Sequence, residues 1–278
     1  MSLLKLPHAK PKTILFDWHA TLVDTKDAMY HAVDNVLPKL VALDLIKRLV
    51  PANESRTLED SRLVKYVRAH GKLHPRIKSE RKISRTDIFE VLFGQDHEAK
   101  LIAHREFDIC YSQHMTGASP LEPDIPELLG ALRKQQLKLG VISNRKREFM
   151  QYEVGNVGGE DWSPLFDTMA CGDDVAHRKP SPDLLLKALD NLGIRPDTSC
   201  WYVGDSTTDV VAAKEAKITA IFYNGAGWDE NWIDRIFPGT MRHPHQPDAV
   251  INNFSELAAL VDQFMLALNG DNKGDGAN

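Results

Sequence analysis

The hydrophobic positions of this chain follow two rhythms. From Thr13 to Phe16 they form a short run that stops at Asp17, with the polar His19, Thr21 and Asp24 close behind. A run of that length, bounded by polar and turn-forming residues, predicts a buried strand that delivers Asp17 to its C-terminal tip. From Thr25 to about Met115 the rhythm changes. Ala28, Met29, Ala32, Val33, Val36 and Leu37 recur at helical spacing until Pro38 interrupts them. A second helical pattern covers Leu40 to Val50, and a third surrounds Leu58, Leu63, Val64 and Val67. Ser84 to Asp87 reads as a helix start, with a serine cap and an acid in the first turn. A longer helix is expected from His97 to Tyr111. No strand pattern interrupts this stretch, so residues 25–115 are predicted to be an all-helical insert.

Turn formers at 116–120 and 123–126 mark the return. After them come a helix at about 126–136 and a strand, Leu137 to Ile142, ending in Ser143 and Asn144. Further strands are expected at Leu165–Met169, Cys200–Val203, Thr219–Phe222 and Ala249–Ile251. Helices are expected near 148–156, 182–192, 207–216 and 255–268. Such alternation predicts a parallel sheet covered on both faces. The expected fold class is therefore α/β, a Rossmann-like parallel sheet core (1–24 and 116–268) with an inserted all-helical cap (25–115). Residues 269–278 carry no apolar side chain except Ala277 and read as a disordered tail.

The 278 residues suffice for a core and an insert. No apolar run approaches the roughly 20 residues of a membrane span, and the first twelve residues lack a signal-peptide pattern. Cys110, Cys171 and Cys200 are widely separated, with neither metal-type spacing nor a closed disulfide set. They read as core fillers in a reducing, cytoplasmic setting. Charge adds one asymmetry. Residues 62–85 hold nine Lys and Arg against Glu80, a local +8 that leaves −13 on the remainder of a chain whose net charge is −5. Two readings stay open, a solvated helix face or a field that draws in an anionic substrate. A single aromatic, Tyr66, and the lack of a recognition motif argue against nucleic acid.

Four places offer polar groups for chemistry. They are Asp17 with His19 and Thr21, Ser143 with Asn144, Lys179 before a helix, and Asp205 with Asp209 after a strand. Singly, each has a plain structural explanation as a cap, a turn or a surface lysine. Together they stand where open α/β sheets place ligands, beyond the C-terminal ends of strands.

In this combination the chain resembles the haloacid dehalogenase-like hydrolase superfamily over about residues 13–265. The branch is the one with a helical cap after the first motif, which includes phosphoglycolate phosphatases, other small phosphate-ester phosphatases, phosphonoacetaldehyde hydrolase and haloacid dehalogenases. The resemblance implies a Mg2+ site made by Asp17, the backbone carbonyl of His19 and Asp205, with Asp209 close by. It implies that Asp17 attacks phosphorus to form an aspartyl-phosphate. Ser143 and Asn144 would bind substrate, Thr21 would help hold phosphate at the loop, and Lys179 would balance charge at the phosphoryl group. The chain departs from the pattern at His19, where such phosphatases usually carry Asp, and at Ala20, where Gly is usual. Phosphonoacetaldehyde hydrolases carry Ala at the former position and dehalogenases Tyr. Imidazole can do acid–base work near neutral pH, so His19 is read either as a replacement acid/base or as a spacer that gives only its carbonyl.

The expected activity is Mg2+-dependent hydrolysis of a small phosphate monoester, phosphoglycolate phosphatase-like, by a monomer or homodimer. The alternatives are phosphonoacetaldehyde-type C–P hydrolysis and a degenerate binding protein, against which the intact set of motif residues argues. Residues from Glu54 and Arg56 to Arg85 are candidates for substrate contacts. The stretch Gly225–Gln246, with Trp228, Trp232, His243 and His245, reads as a surface loop, with metal binding by the two histidines as the other reading.

Overall fold

The computed structural model describes residues 7, 9–80, 83, 85–113, 118–241 and 244–271. The chain divides into two compact units, Met1–Asp24 with Gly117–Asn278, and Thr25–Thr116.

The first unit is built on a six-stranded parallel sheet. Its strands are β1 (Thr13–Asp17), β4 (Lys138–Ser143), β5 (Thr168–Cys171), β6 (Cys200–Gly204), β7 (Thr219–Tyr223) and β8 (Ala249–Ile251), in the order β5-β4-β1-β6-β7-β8. β2 (Val23–Asp24) and β3 (Ser119–Pro120) form a separate antiparallel pair. That pair sits where the chain leaves this unit for the insert and where it returns.

Alternation along the strands sorts side chains to two faces. Ile14, Phe16, Val141, Trp201 and Val203 join one core with residues of α6 (Ile125–Lys134), α7 (Arg147–Val154) and α11 (Phe254–Asp271). Leu15, Ile142, Cys200 and Tyr202 join the other with residues of α8 (Asp183–Asn191) and α9 (Thr207–Glu215). Each large apolar side chain buried this way contributes about 1.5–3 kcal/mol, and both faces of β1 are covered. Cys110, Cys171 and Cys200 are all buried free thiols.

The second unit holds α1 (Lys26–Val36), α2 (Leu58–His70), α3 (Pro75–Glu80), α4 (Arg85–Phe93) and α5 (His97–Ser112). Its described residues include no strand. α1 packs on α5 and α4, and α2 packs on α4. Thr57 and Asp60 form a reciprocal capping box at the start of α2, and Gly71 ends it at φ 59°. Basic residues of the stretch are engaged within this unit. Arg68 donates to the Leu49 carbonyl, Lys78 pairs with Asp34 and Arg85 pairs with Asp108. The part of the basic stretch left to act at a distance is therefore smaller than the formal charge implies.

Several boundaries differ from the sequence reading. Leu40 to Val50 is not an α-helix. It is two short 3-10 segments, Leu37–Leu40 and Ile46–Arg48, around a turn in which Asp44 takes φ 52°. Leu40, Leu45 and Leu49 are buried as separate anchors, a spacing that matched a helix by count alone. The strand expected at Leu165–Met169 begins at Thr168, because Ser163–Leu165 is a 3-10 turn and pairing with β4 starts at Gly140 opposite Thr168. Within 225–246 a short helix, α10 (Glu230–Ile236), forms on an Asp229 cap that accepts from the Trp232 amide. His245 pairs with Glu215 at 3.0 Å. α11 extends to Asp271, into the stretch read as tail. Ser84, Thr116, Gly117, His243 and residues 272–278 lie outside the described residues. No helix among the described residues is long and apolar enough to cross a membrane.

Candidate active site

Asp17 ends β1, and Ser143 ends β4 beside it. Asp205 follows β6 on the other side of β1, and Asp209 lies in the first turn of α9. The strand order thus gathers three motifs at one sheet edge although the chain separates them widely.

The centre of the site is an ammonium among carboxylates. Lys179 Nζ donates to Asp17 Oδ1 at 2.5 Å, to Asp209 Oδ1 at 2.7 Å and to the Tyr202 hydroxyl at 2.8 Å. The Tyr202 hydroxyl in turn donates to Asp209 Oδ1 at 2.8 Å. Asp17, Lys179, Tyr202 and Asp209 are all buried. Burial pushes the Asp17 carboxyl up to about 6, with Asp209 adding to the rise and the Lys179 ammonium opposing it. Burial alone would lower Lys179, but the charges of Asp17 and Asp209 outweigh it and hold the ammonium above its ordinary range. Burial, reinforced by Asp209 and Asp17, keeps Tyr202 protonated and able to donate.

The Lys179 backbone is fixed by Asn144. The Lys179 amide donates to Asn144 Oδ1 at 2.8 Å, and Asn144 Nδ2 donates to the Lys179 carbonyl at 3.0 Å. The structure therefore places the Asn144 amide on the lysine loop. Asp209 is seated by Ser206, whose amide and hydroxyl both donate to Oδ2. It can come this close to β6 only because Gly204 has no side chain: a Cβ there would lie 2.5 Å from Asp209 Cβ and Cγ.

Asp17, Asp205 and Asp209 can place carboxylate oxygens within 4.8 Å of one another. Three carboxylates around one ammonium leave an excess of negative charge, and hard oxygen donors are what Mg2+ prefers. The donor set therefore fits a divalent cation.

The loop after β1 carries the remaining polar groups. Ala20 sits at φ 61°, in the left-handed region that favours glycine. Thr21 Oγ1 donates to Asp17 Oδ2 at 3.4 Å. Ser143 Oγ lies 3.3 Å from His19 Nδ1 and accepts from the Arg145 amide at 3.2 Å. His19 Nε2 lies 2.8 Å from Glu153 Oε2, and Trp18 Nε1 donates to that same oxygen at 2.8 Å.

Sequence reasoning missed Glu153 and Tyr202. Both left a signal. Glu153 falls on the apolar stripe of α7, in step with Phe149, Met150 and Val154. Tyr202 is a hydroxyl in the middle of a strand buried along its length, and such a group needs a partner. The second unit has an open recess of about 600 Å³ whose lining includes Asn53, Ser55, Arg56, Thr57 and Lys65. It contains none of the carboxylates.

The sequence profile of the haloacid dehalogenase-like hydrolases matches residues 57–223. The matched range takes in Ser143, Lys179, Asp205 and Asp209, while β1 precedes it. The chain belongs to this family. Among proteins similar to it, a phosphoglycolate phosphatase of Photorhabdus laumondii is 27% identical over 252 residues, which is 90% of this chain and 92% of that protein. A phosphoglycolate phosphatase of Rhodospirillum rubrum is 29% identical over 215 residues, 76% of this chain and 78% of the relative. Among solved structures, a Bacteroides fragilis protein assigned as a haloacid dehalogenase-like hydrolase aligns with a TM-score of 0.59 at 23% identity, over 89% of this chain and 100% of that one. That likeness shows a shared fold.

Proposed function

We propose that this chain is a Mg2+-dependent phosphatase that hydrolyses a small phosphate monoester, phosphoglycolate or a close analogue, through an aspartyl-phosphate. The observation that carries the reading is the Lys179 ammonium at 2.5 Å from Asp17, inside a cluster of three carboxylates. The relatives named phosphoglycolate phosphatase support the substrate class.

Asp17, Asp205 and Asp209, with the His19 carbonyl, are the groups that would hold the cation. When bound, Mg2+ supplies charge neutralisation at the phosphoryl oxygens. The protein does the rest. Asp17 forms the new bond to phosphorus as the ester oxygen departs. Lys179 faces the negative charge that gathers on the phosphoryl group in the transition state. The Ser143 hydroxyl holds a phosphoryl oxygen, and Thr21 steadies Asp17 and the phosphate at the loop. His19 gives a proton to the departing oxygen, then takes one from the water that attacks the aspartyl-phosphate. Inorganic phosphate leaves and the Asp17 carboxylate is restored.

The test is phosphate release from a panel of monoesters that includes phosphoglycolate, with and without Mg2+, beside Asp17→Asn. Mg2+-dependent release lost in the variant is the expected result. Release no greater than that of the variant on every ester would sink the reading.

A further inference from the structure

Glu153 is wholly buried in the last turn of α7, on a face otherwise taken by Phe149, Met150 and Val154. A buried carboxylate is costly unless hydrogen bonds hold it, and an apolar residue would pack there at no such cost. One oxygen, Oε2, accepts the Trp18 indole N–H at 2.8 Å and lies 2.8 Å from Nε2 of the next residue, His19. A carboxylate oxygen only accepts, so Nε2 carries the hydrogen whatever the charge of the ring. The other ring nitrogen, Nδ1, is then the one that lies 3.3 Å from Ser143 Oγ. Ser143 ends β4 next to Asp17. The imidazole is thus pinned between a helix on one side and the end of a strand on the other.

We propose that Glu153 is a positioning residue for His19: it holds Nε2–H so that Nδ1 is the atom that passes the proton to the departing ester oxygen and takes one from water. The proposal rests on the acid–base reading of His19 given above. In the first step the Nδ1–H bond breaks and a bond to the ester oxygen forms. In the second, Nδ1 accepts a proton from the attacking water. The Nε2–H bond to Glu153 persists through both. A carboxylate at position 19 would have no hydrogen to give Glu153 and would be repelled by it.

Leaving-group chemistry tests this. An alkoxide leaving group needs a proton, whereas 4-nitrophenolate leaves without one. The quantity to measure is kcat/KM, which reports the steps up to departure of the leaving group, for phosphoglycolate and for 4-nitrophenyl phosphate in Mg2+. Glu153→Leu is expected to lower it about 10–100-fold on phosphoglycolate and less than about 3-fold on the nitrophenyl ester, a part of the roughly 10²–10⁴-fold that general acid–base catalysis contributes as a whole. In a His19→Ala background the same substitution should add no further loss on phosphoglycolate. Glu153→Gln, which keeps an acceptor oxygen, should recover most of the loss, and a loss on phosphoglycolate as large as that of Glu153→Leu would count against the proposal. Equal losses on both esters, or a full loss in the His19→Ala background, would make Glu153 a support for Trp18 and overturn the proposal. Full activity of His19→Ala on phosphoglycolate would instead remove the acid–base reading itself. As an independent check, His19→Asp/Glu153→Gln should exceed His19→Asp by at least about 10-fold on phosphoglycolate; no gain would count against the proposal.

Discussion

Lys179 and Asp17 stand 162 residues apart in the chain and meet at 2.5 Å in a pocket that leaves the lysine side chain 4% exposed. Asp209 closes on the same ammonium at 2.7 Å. One buried cation therefore holds two carboxylates that would otherwise repel each other. Replacing it with a neutral chain of similar length, Lys179→Met, removes the charge that faces the phosphoryl group, and kcat should fall about 100- to 1000-fold. Removing one member of a buried ion pair costs about 3–5 kcal/mol. Because the carboxylates, left without their counter-charge, would then favour a divalent cation, the stability loss should be smaller in Mg2+ than in EDTA. Urea unfolding in both buffers measures this, and equal losses would show that the cluster does not hold the ion.

Gly204 is the tightest constraint around Asp209. A methyl group there would lie 2.5 Å from Asp209 Cβ and Cγ, so Gly204→Ala must push the carboxylate away from Lys179 and Tyr202. Overpacking of this kind costs about 1–3 kcal/mol. The expected result is that loss in urea unfolding together with a weaker affinity for Mg2+ in a calorimetric titration. An unchanged affinity would mean that Asp209 is not needed for the cation.

Ala20 shows the opposite balance. A left-handed conformation costs an L-residue about 1–2 kcal/mol, whereas glycine costs about 0.4–1 kcal/mol through the freedom it gives the unfolded chain. With Ala20 at φ 61°, the first term is the larger. Ala20→Gly should raise stability by about 0.5–1 kcal/mol, read as a higher urea midpoint with an unchanged slope. A lower midpoint would show that the loop relaxes the strain elsewhere.

In the helical unit, Asp96 caps α5 and accepts a two-pronged bond from Arg48 at 2.7 and 2.5 Å. The Arg48 hydrogen bonds hold its carboxyl down at about 2, against an ordinary value of 3.8. A depressed carboxyl contributes stability that is complete above its unfolded value and disappears as pH falls through the folded one. The stability difference between the parent and Asp96→Asn should be constant from neutral pH to about pH 5, then shrink between about pH 4 and 2. Paired urea titrations across that range would show it, and a difference that stayed level to the acid end would contradict the assignment.

Much of this arrangement was legible from residue order alone. The apolar run before Asp17, the polar ends of β4 and β6 and the strand–helix alternation were enough to imply a parallel sheet with Asp17, Ser143, Lys179, Asp205 and Asp209 near one edge. The structure places Lys179 with Asp17 and Asp209, and Ser143 with His19. The shortfalls have physical causes. Leu40, Leu45 and Leu49 are all buried without a helix between them, since a turn at Asp44 can bury the same residues. Asn144 reads as a ligand group beside Ser143, yet its amide is matched to the backbone of a loop 35 residues away, a pairing that no local pattern records. Glu153 and Tyr202 contribute through partners supplied by other elements. Position 153 takes its meaning from Trp18 and His19, and position 202 from Lys179 and Asp209.

The sheet order also bears on how the protein is made. β1 precedes its partners in the chain but stands between β4 and β6 in the finished sheet, and β6 begins about 190 residues after β1. At roughly 5–20 residues per second, a ribosome needs about 10–40 s to cover that distance. Throughout that interval Thr13–Phe16 is an apolar strand with an unpaired edge, the kind of segment that recruits other chains. The nascent protein must shelter this strand until Cys200–Gly204 has emerged. A chain halted just before then would carry Asp17, the whole helical insert and the β5-β4-β1 half of the sheet, but neither Asp205 nor Asp209 to complete the cluster around the aspartate.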